Sequence, residues 1–298
     1  MSSRAAARKR SVRRKRRHAV KGIVLAFCFF VAILASTRMA SDYFLKQEPE
    51  KKELQATAVH AVERPVIREN SQLSRDLQEF ALTNETAAKV CEDYEKYPKE
   101  LILSFLNNPE MEEFIAGYLN ADLTIEQGFT DAECSQDFPL LLQWDKRWGY
   151  QPYGKSIIGL SGCGPTCLSM VLLSLTHDTE KTPTWVARFS EENGYYVEDS
   201  GTAWSLMTQG AAQLGLYSTE LSLDEAVMKS ALDNGRPIIC TVGPGDFTTQ
   251  GHFIVIYGYD ANGFFVNDPN CIARSSQVWS YEKLQGQIKN LWSFQSQA

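Results

Sequence analysis

An α+β fold, with helices packed on an antiparallel sheet, is what this chain predicts from two observations. Apolar residues recur at helical spacing through most of residues 71–234, and the period then switches to β-rich runs closed by a hairpin turn. Leu73, Leu77, Phe80 and Ala81 mark a first helical face. Leu101, Ile102, Phe105 and Leu106 form a second after Pro98, and Met111, Phe114, Ile115, Tyr118 and Leu119 a third. Asn108 suits the N-cap of that third helix and Pro109 its first position. To about Leu123 these faces read as a small helical region packed on the main domain, without chemistry of its own. The main domain starts near Phe138, with helices expected over 164–175, 182–192, 203–214 and 223–234 and a short strand near 216–221. Three β-rich runs follow, at 237–242, 253–259 and 264–267, the last two joined by Asp260-Ala261-Asn262-Gly263 as a turn.

Charge is distributed unevenly along the 298 residues. The first 21 carry ten Lys and Arg and no acid, so the overall −6 conceals 20 basic against 36 acidic residues from position 22 onward, a formal −16. A body that acidic is a poor partner for nucleic acid. Sixteen uncharged residues, 22–37, then separate Lys21 from Arg38 and include Cys28. As a helix at about 1.5 Å per residue this segment spans roughly 24 Å, which with snorkelling cations reads as a membrane anchor or signal segment. The poor small-residue cleavage pattern at Ala35-Ser36-Thr37 favours an uncleaved anchor. The expected organisation is a basic cytoplasmic flank (1–21), the membrane segment (22–37), a linker (38–70) rich in alternating charge, the helical region (71–137) and the main domain (138–298). The basic flank would stay inside and the rest outside the membrane, or be secreted if the segment is cleaved. Seven cysteines at 28, 91, 134, 163, 167, 240 and 271 show no CxxC spacing and predict no particular bridge.

The chemistry is concentrated in Ser161-Gly162-Cys163-Gly164-Pro165-Thr166-Cys167, with Gly251-His252-Phe253 and Asn267-Asp268-Pro269 far downstream. A thiol is mostly protonated at neutral pH while its thiolate is the attacking species, so something must lower its pKa. The two glycines allow a tight turn, Pro165 suits a helix start, and the helix would present its N-terminal dipole to Cys163. His252 could take the thiol proton, with Asp268 orienting the ring from its other nitrogen. His252 opens one strand of the hairpin and Asp268 follows the other, so antiparallel pairing brings both to one sheet end, given a suitable bulge or offset. Cys167, one turn along the helix, reads as core packing. A metal reading of Cys163, Cys167, His177 and His252 is the weaker story, and no cofactor is expected.

The motifs Gln143-Trp144-Asp145-Lys146-Arg147-Trp148-Gly149, Tyr153-Gly154, Ser161 to Thr166, Gly201-Thr202, Gly251-His252-Phe253 and Asp268-Pro269 are similar, in order, to those of the papain-like cysteine peptidases of family thirty-nine, related to bacteriocin-leader processing. The resemblance covers roughly residues 138–294. It implies a papain-like fold, Cys163 as nucleophile, His252 and Asp268 as its partners, and Gln143 as a donor to the oxyanion, a role a side-chain amide can fill beside the Cys163 backbone N–H. Gly162, Gly201, Thr202, Trp204 and Gly251 are the expected substrate-binding positions. Residues 243–250 are a candidate substrate-facing loop, and Trp144, Trp148, Trp204, Trp279 and Trp292 read as core or cleft-wall aromatics. No Gly-rich loop ending in Lys-Ser or Lys-Thr follows the domain, so the transporter-coupled role is not carried over.

Three functional readings stay open. The first is an exported, membrane-anchored cysteine peptidase or amidase acting on a peptide or protein. The second uses the same three residues for acyl transfer, with a cell-wall peptide as a candidate substrate. The third, from another class, is a catalytically silent module that holds peptide or glycan in the cleft.

Overall fold

The computed structural model describes residues 63–124, 127–198 and 201–297. The expected basic flank, the membrane segment with Cys28, and most of the linker lie outside the described residues. Among the described residues no helix is long and apolar enough to cross a membrane. The end of the expected linker is tied down: Arg68 donates to Asn107 at 2.6 Å and to Asp76 at 2.9 Å, and the Val66 N–H reaches Asn107 Oδ1 at 3.1 Å.

Four helices open the described chain: α1 (Asn70–Phe80), α2 (Glu85–Glu92), α3 (Lys99–Asn107) and α4 (Glu112–Gly117). α1, α3 and α4 bury the faces their spacing predicts, α2 is a helix the sequence reading left out, and Leu73, Leu77, Ala87, Val90, Leu101, Ile102, Phe105, Phe114 and Ile115 share one cluster. Asn108 caps a 3-10 turn, Pro109–Met111, that feeds α4, so the expected cap and first proline are both in place. The cluster does not stop at the helices. Trp144, Tyr150, Ile157 and Leu160 pack against it from the main domain. Phe114 lies flat on Tyr150, ring centroids 4.4 Å apart, and the Tyr150 hydroxyl donates to the Phe114 carbonyl at 2.8 Å. The Phe114 ring also takes the space that a side chain on Gly159 would need.

The main domain is a six-stranded antiparallel sheet between two helical layers. Its strands are β1 (Leu216–Glu220), β2 (Ile238–Val242), β3 (His252–Asp260), β4 (Gly263–Asn267), β5 (Val278–Trp279) and β6 (Ile288–Ser296), in the order β1-β6-β2-β3-β4-β5. On one face lies α5 (Cys163–Thr176), which is apolar around nearly its whole circumference and buried from Gly164 to Leu173. It packs with α6 (Pro183–Glu192) over Ile239, Phe253, Val255, Trp292 and Phe294. The other face presents Ile238, Cys240, Ile254, Ile256, Phe264 and Val266 to α7 (Glu225–Asp233) and to the helix Tyr281–Gln285. Two-sided cover explains why β2 and most of β3 read as unbroken apolar runs rather than alternating ones.

Two expectations need correction. The predicted helix over 203–214 is a 3-10 turn, Trp204–Met207, and a short helix, Gln209–Gln213, separated at Thr208, whose backbone (φ −115, ψ −78) leaves the helical path. Its apolar residues Leu206, Met207 and Ala211 are nonetheless buried. The second is an omission: β6, nine residues long, sits inside the sheet, bonded to both β1 and β2.

Phe114 is the aromatic link between the helical region and the main domain. Replacing it with Ala should cost about 3–5 kcal/mol, read as a lower denaturation midpoint in urea, and a cost within error of zero would mean that the two parts do not stabilise one another.

Candidate active site

Cys163 is the first residue of α5, and the turn that presents it leaves no room on either side. A side chain on Gly162 would come within 2.6 Å of the Ile158 carbonyl oxygen, and one on Gly164 within 2.7 Å of the Thr202 side chain. The N-cap, Gly162, supplies no side-chain bond to the first turn, so the N–H groups there stay available to the sulfur and to a ligand. Thr202 is held in turn by Tyr153, whose hydroxyl bonds Thr202 at 2.8 Å and Ser190 at 2.9 Å. Burial pushes the Tyr153 phenol up to about 12, which keeps it protonated.

His252 enters from β3, opposite Val242 on β2, and is 8% exposed. Its Nε2 is 2.7 Å from Asp268 Oδ1, which leaves Nδ1 for the sulfur of Cys163, to which the ring is also hydrogen-bonded. The required offset is a β-bulge at Tyr257: Ile256 pairs with Val266, but Gly258 pairs with Phe265. One extra residue in β3 changes which face each later partner shares. With it Asn267 stands opposite Val255, and the next residue, Asp268, falls on the face of Ile254 and His252.

Asp268 is fully buried and its two oxygens are both engaged. Oδ1 takes His252 and the Asn270 N–H at 2.8 Å, and Oδ2 takes Arg274 Nη1 at 2.9 Å. Burial opposes its charge, yet His252, Arg274 and the Asn270 N–H together hold it below the usual carboxylate range. Burial likewise disfavours a charged His252, but the Asp268 carboxylate and the Cys163 sulfur overcome this and raise the ring to about 9. At Cys163 burial works against the thiolate, and His252 with the backbone N–H groups of Phe253 and Gly164 brings it below the ordinary thiol range. Cys167 and Cys240 share none of these partners; burial drives both well up and leaves them as thiols in the core.

A cleft of about 1060 Å³ runs past Cys163 and His252, and Gly201, Thr202, Trp204 and Gly251 line it, as the sequence leads one to expect. Trp204 projects into it, 49% exposed, edge-on to Trp292. Gly162 is buried beneath the turn and does not line the cleft. Gln143 is also buried: its backbone N–H donates to the Pro269 carbonyl at 2.7 Å and its Nε2 to the Gly159 carbonyl at 3.0 Å, while Oε1 has no partner. In the 243–250 loop, Gly243, Pro244 and Gln250 face the cleft. Its middle turns away: Asp246 is clasped by Gln287 at 2.6 and 2.7 Å, and Phe247 is buried against Trp279.

Two contributions went unseen in the sequence. Arg274 resembles a surface cation in Ala273-Arg274-Ser275-Ser276, and its only local signal is a spacing of six from Asp268. The helical region, read as chemically silent, supplies Pro98, Glu100, Ser104 and Tyr118 to the cleft wall. The i, i+4 spacing of Glu100 and Ser104 places them on one face of α3, a pattern that sequence reading assigns to solvent. Among the described residues no group of three or more His, Cys, Asp or Glu could hold a metal ion. His177 caps the far end of α5 with a left-handed backbone, about 20 Å of helix away from Cys163.

Residues 135–297 match the model of a family described as the Peptidase_C39 like family. Among solved structures the chain is similar to the peptidase domain of Streptococcus ComA, a bi-functional ABC transporter involved in a quorum-sensing pathway. The two are 20% identical, the match covers 54% of this chain and 99% of that one, and the TM-score is 0.39. It is also similar to a protein described as a C39-like peptidase from Bacillus anthracis, at 14% identity, 57% and 98% coverage and a TM-score of 0.32. No curated protein matches the chain.

The geometry makes the sulfur's acidity a property of the ring. In His252→Ala the Cys163 thiol should lose its lowered pKa, so that the pH dependence of its alkylation moves to higher pH. An unchanged alkylation profile would mean that His252 does not act on the sulfur.

Proposed function

The chain belongs to the Peptidase_C39 like family and is a cysteine-type peptidase, a hydrolase; from that premise we propose that Cys163 is its nucleophile, His252 its general base and acid, and Asp268 the orienter of the ring. The observation that carries this reading is a single imidazole hydrogen-bonded to Cys163 on one side and, at 2.7 Å, to a buried carboxylate on the other.

The resting pair is a thiolate beside an imidazolium. The sulfur adds to the carbonyl carbon of a substrate amide, and the carbonyl π electrons move to its oxygen. The Cys163 backbone N–H and the second amide N–H of Gln143 stabilise that oxyanion, the first Gln143 N–H being spent on Gly159. Gln143 suits the task because it is fixed at both its backbone and its side chain. As the tetrahedral species collapses, the C–N bond breaks, His252 gives its Nδ1 proton to the departing amine, and a thioester remains on Cys163. The now neutral ring takes a proton from water, the hydroxide attacks the thioester, and the acid leaves as sulfur returns to thiolate beside the reprotonated ring. Asp268 stabilises the imidazolium throughout without itself taking the proton.

The substrate is a peptide or protein extended along the cleft. An amine in place of water would turn the same thioester into an acyl-transfer product, and product analysis with an added amine separates the two outcomes. The proposal also places the chain in a membrane through residues 22–37, with the peptidase outside, supported by ten cations in the first 21 residues and none of either sign in the next sixteen. Cell fractionation with external protease digestion tests that placement.

Cys163→Ala should abolish both peptide hydrolysis and labelling by a thiol-directed probe while leaving the circular dichroism spectrum unchanged; retained hydrolysis would remove the assignment. The pH profile has a defined sign. The ring's pKa lies above its free value, so the imidazolium that protonates the leaving amine is present below about 9 and lost above it. Single-turnover kcat/KM should therefore fall as pH rises through about 9, and on the acid side should fall only below the ordinary thiol range.

A further inference from the structure

The segment that carries Asp268 and Arg274 is not held by the sheet alone. Beyond β4 the chain turns through Pro269 and Asn270 into a single helical turn, α8 (Ile272–Ser275). Three side chains from earlier in the chain grip it. Glu110 accepts the Ile272 N–H on Oε2 at 2.7 Å and the Ala273 N–H on Oε1 at 2.8 Å. The Asn270 carbonyl accepts the Trp144 indole N–H at 2.8 Å and the amide of Asn108. Asn108 and Glu110 belong to the helical region and precede residues 135–297, the part matched to the family.

Arg274, next in line after the two gripped N–H groups, is 1% exposed and donates from Nη1 to Asp268 Oδ2 at 2.9 Å and to the Phe247 carbonyl at 3.3 Å. Its Nε and Nη2 are buried without partners. With Nη1 as its one bonded nitrogen, the side chain takes its position from its backbone, whose carbonyl accepts the Trp279 indole N–H at 3.0 Å and whose two preceding N–H groups are held by Glu110. We propose that Glu110 is a positioning residue: by capping residues 272 and 273 it holds Arg274 and Asp268 in register with His252, so that the helical region is part of the catalytic apparatus. The inference rests on the proposed roles of His252 and Asp268. The groups facing His252 are Cys163 and Asp268, and those facing Asp268 are His252 and Arg274, with the thiols of Cys167 and Cys271 also within its field. Glu110 stands one step further out, acting on Arg274 and Cys271.

The test uses the full chain with Glu110→Ala, Glu110→Gln and, as a control on the same region, Lys146→Ala, which removes only an exposed pair with Glu113. Glu110→Ala should lower kcat by about 10- to 100-fold with KM unchanged, a loss of the size expected when reacting groups drift by about 1 Å. It should also move the His252 titration down from about 9 toward its ordinary 6.5, because Asp268 no longer stays against the ring. Glu110→Gln keeps one side-chain oxygen for an N–H and should recover most of both, while Lys146→Ala should change neither. The titration is followed by NMR of the four histidine rings in resting enzyme, so it reports on Glu110 even if Cys163→Ala should show that the activity lies elsewhere. An activity loss that tracks only a lower Tm, with the His252 titration unmoved, overturns the proposal, as does full activity in Glu110→Ala. Should Glu110→Ala fail to fold, Glu110→Gln decides by the same titration: a partial downward shift supports the proposal and none overturns it.

Discussion

Asp268 is an ionised carboxylate with no contact to solvent, and the whole site depends on its being neutralised from two sides. An isolated buried charge of this kind would cost several kcal/mol, and proteins escape such a cost by pairing the charge or by neutralising it. Here it is paired. His252 and Arg274 each take one oxygen, and the Asn270 N–H shares the first. The compensation then propagates: a carboxylate stabilised as an anion favours the imidazolium, and an imidazolium favours the thiolate at Cys163. The buried Asp268 and His252 and the half-buried Cys163, each disfavoured as a charge on its own, are mutually consistent together.

Such an arrangement makes demands on the backbone that the fold meets by different means. Cys163 is delivered by the start of a buried helix, where glycines on both sides are required by close approach to Ile158 and Thr202. His252 is delivered by a central strand covered on both faces, and Asp268 by the end of its hairpin partner, brought onto the correct face by the bulge at Tyr257. Arg274 has no place in the sheet. It sits on a one-turn helix whose first two N–H groups are satisfied by Glu110, from the helical region that also forms part of the cleft wall. The chain segment before the matched domain is thus continuous with the site in packing, in hydrogen bonding and in the shape of the cleft.

Much of this architecture was legible from local pattern. The faces of α1, α3 and α4, the span of α5, the strands around the hairpin and the turn at residues 260–263 follow from apolar spacing and turn chemistry. Cys163, His252 and Asp268 stood out because a hairpin that opens with His and ends before Asp has few ways to keep them apart. What escaped has equally definite causes. β6 carries Lys289, Asn290 and Gln295 around Leu291-Trp292-Ser293-Phe294, so neither alternation nor a long apolar run marks it as a strand inside the sheet. The break at Thr208 interrupts a segment whose buried residues still fit one helix.

By itself, then, the sequence determined the order and type of most elements and singled out Cys163, His252 and Asp268, which the fold brings together, because these depend on residues a few positions apart and on the intrinsic chemistry of Cys, His and Asp. Tertiary structure alone decided that Arg274 is buried rather than solvated, that Glu110 caps a turn some 160 residues away in the chain, and that Glu100 and Tyr118 face a cleft rather than water. The physical reason is that a charged side chain carries no local sign of its burial. Whether it pairs, caps or faces solvent is set by which distant segment the packing of the apolar core brings against it.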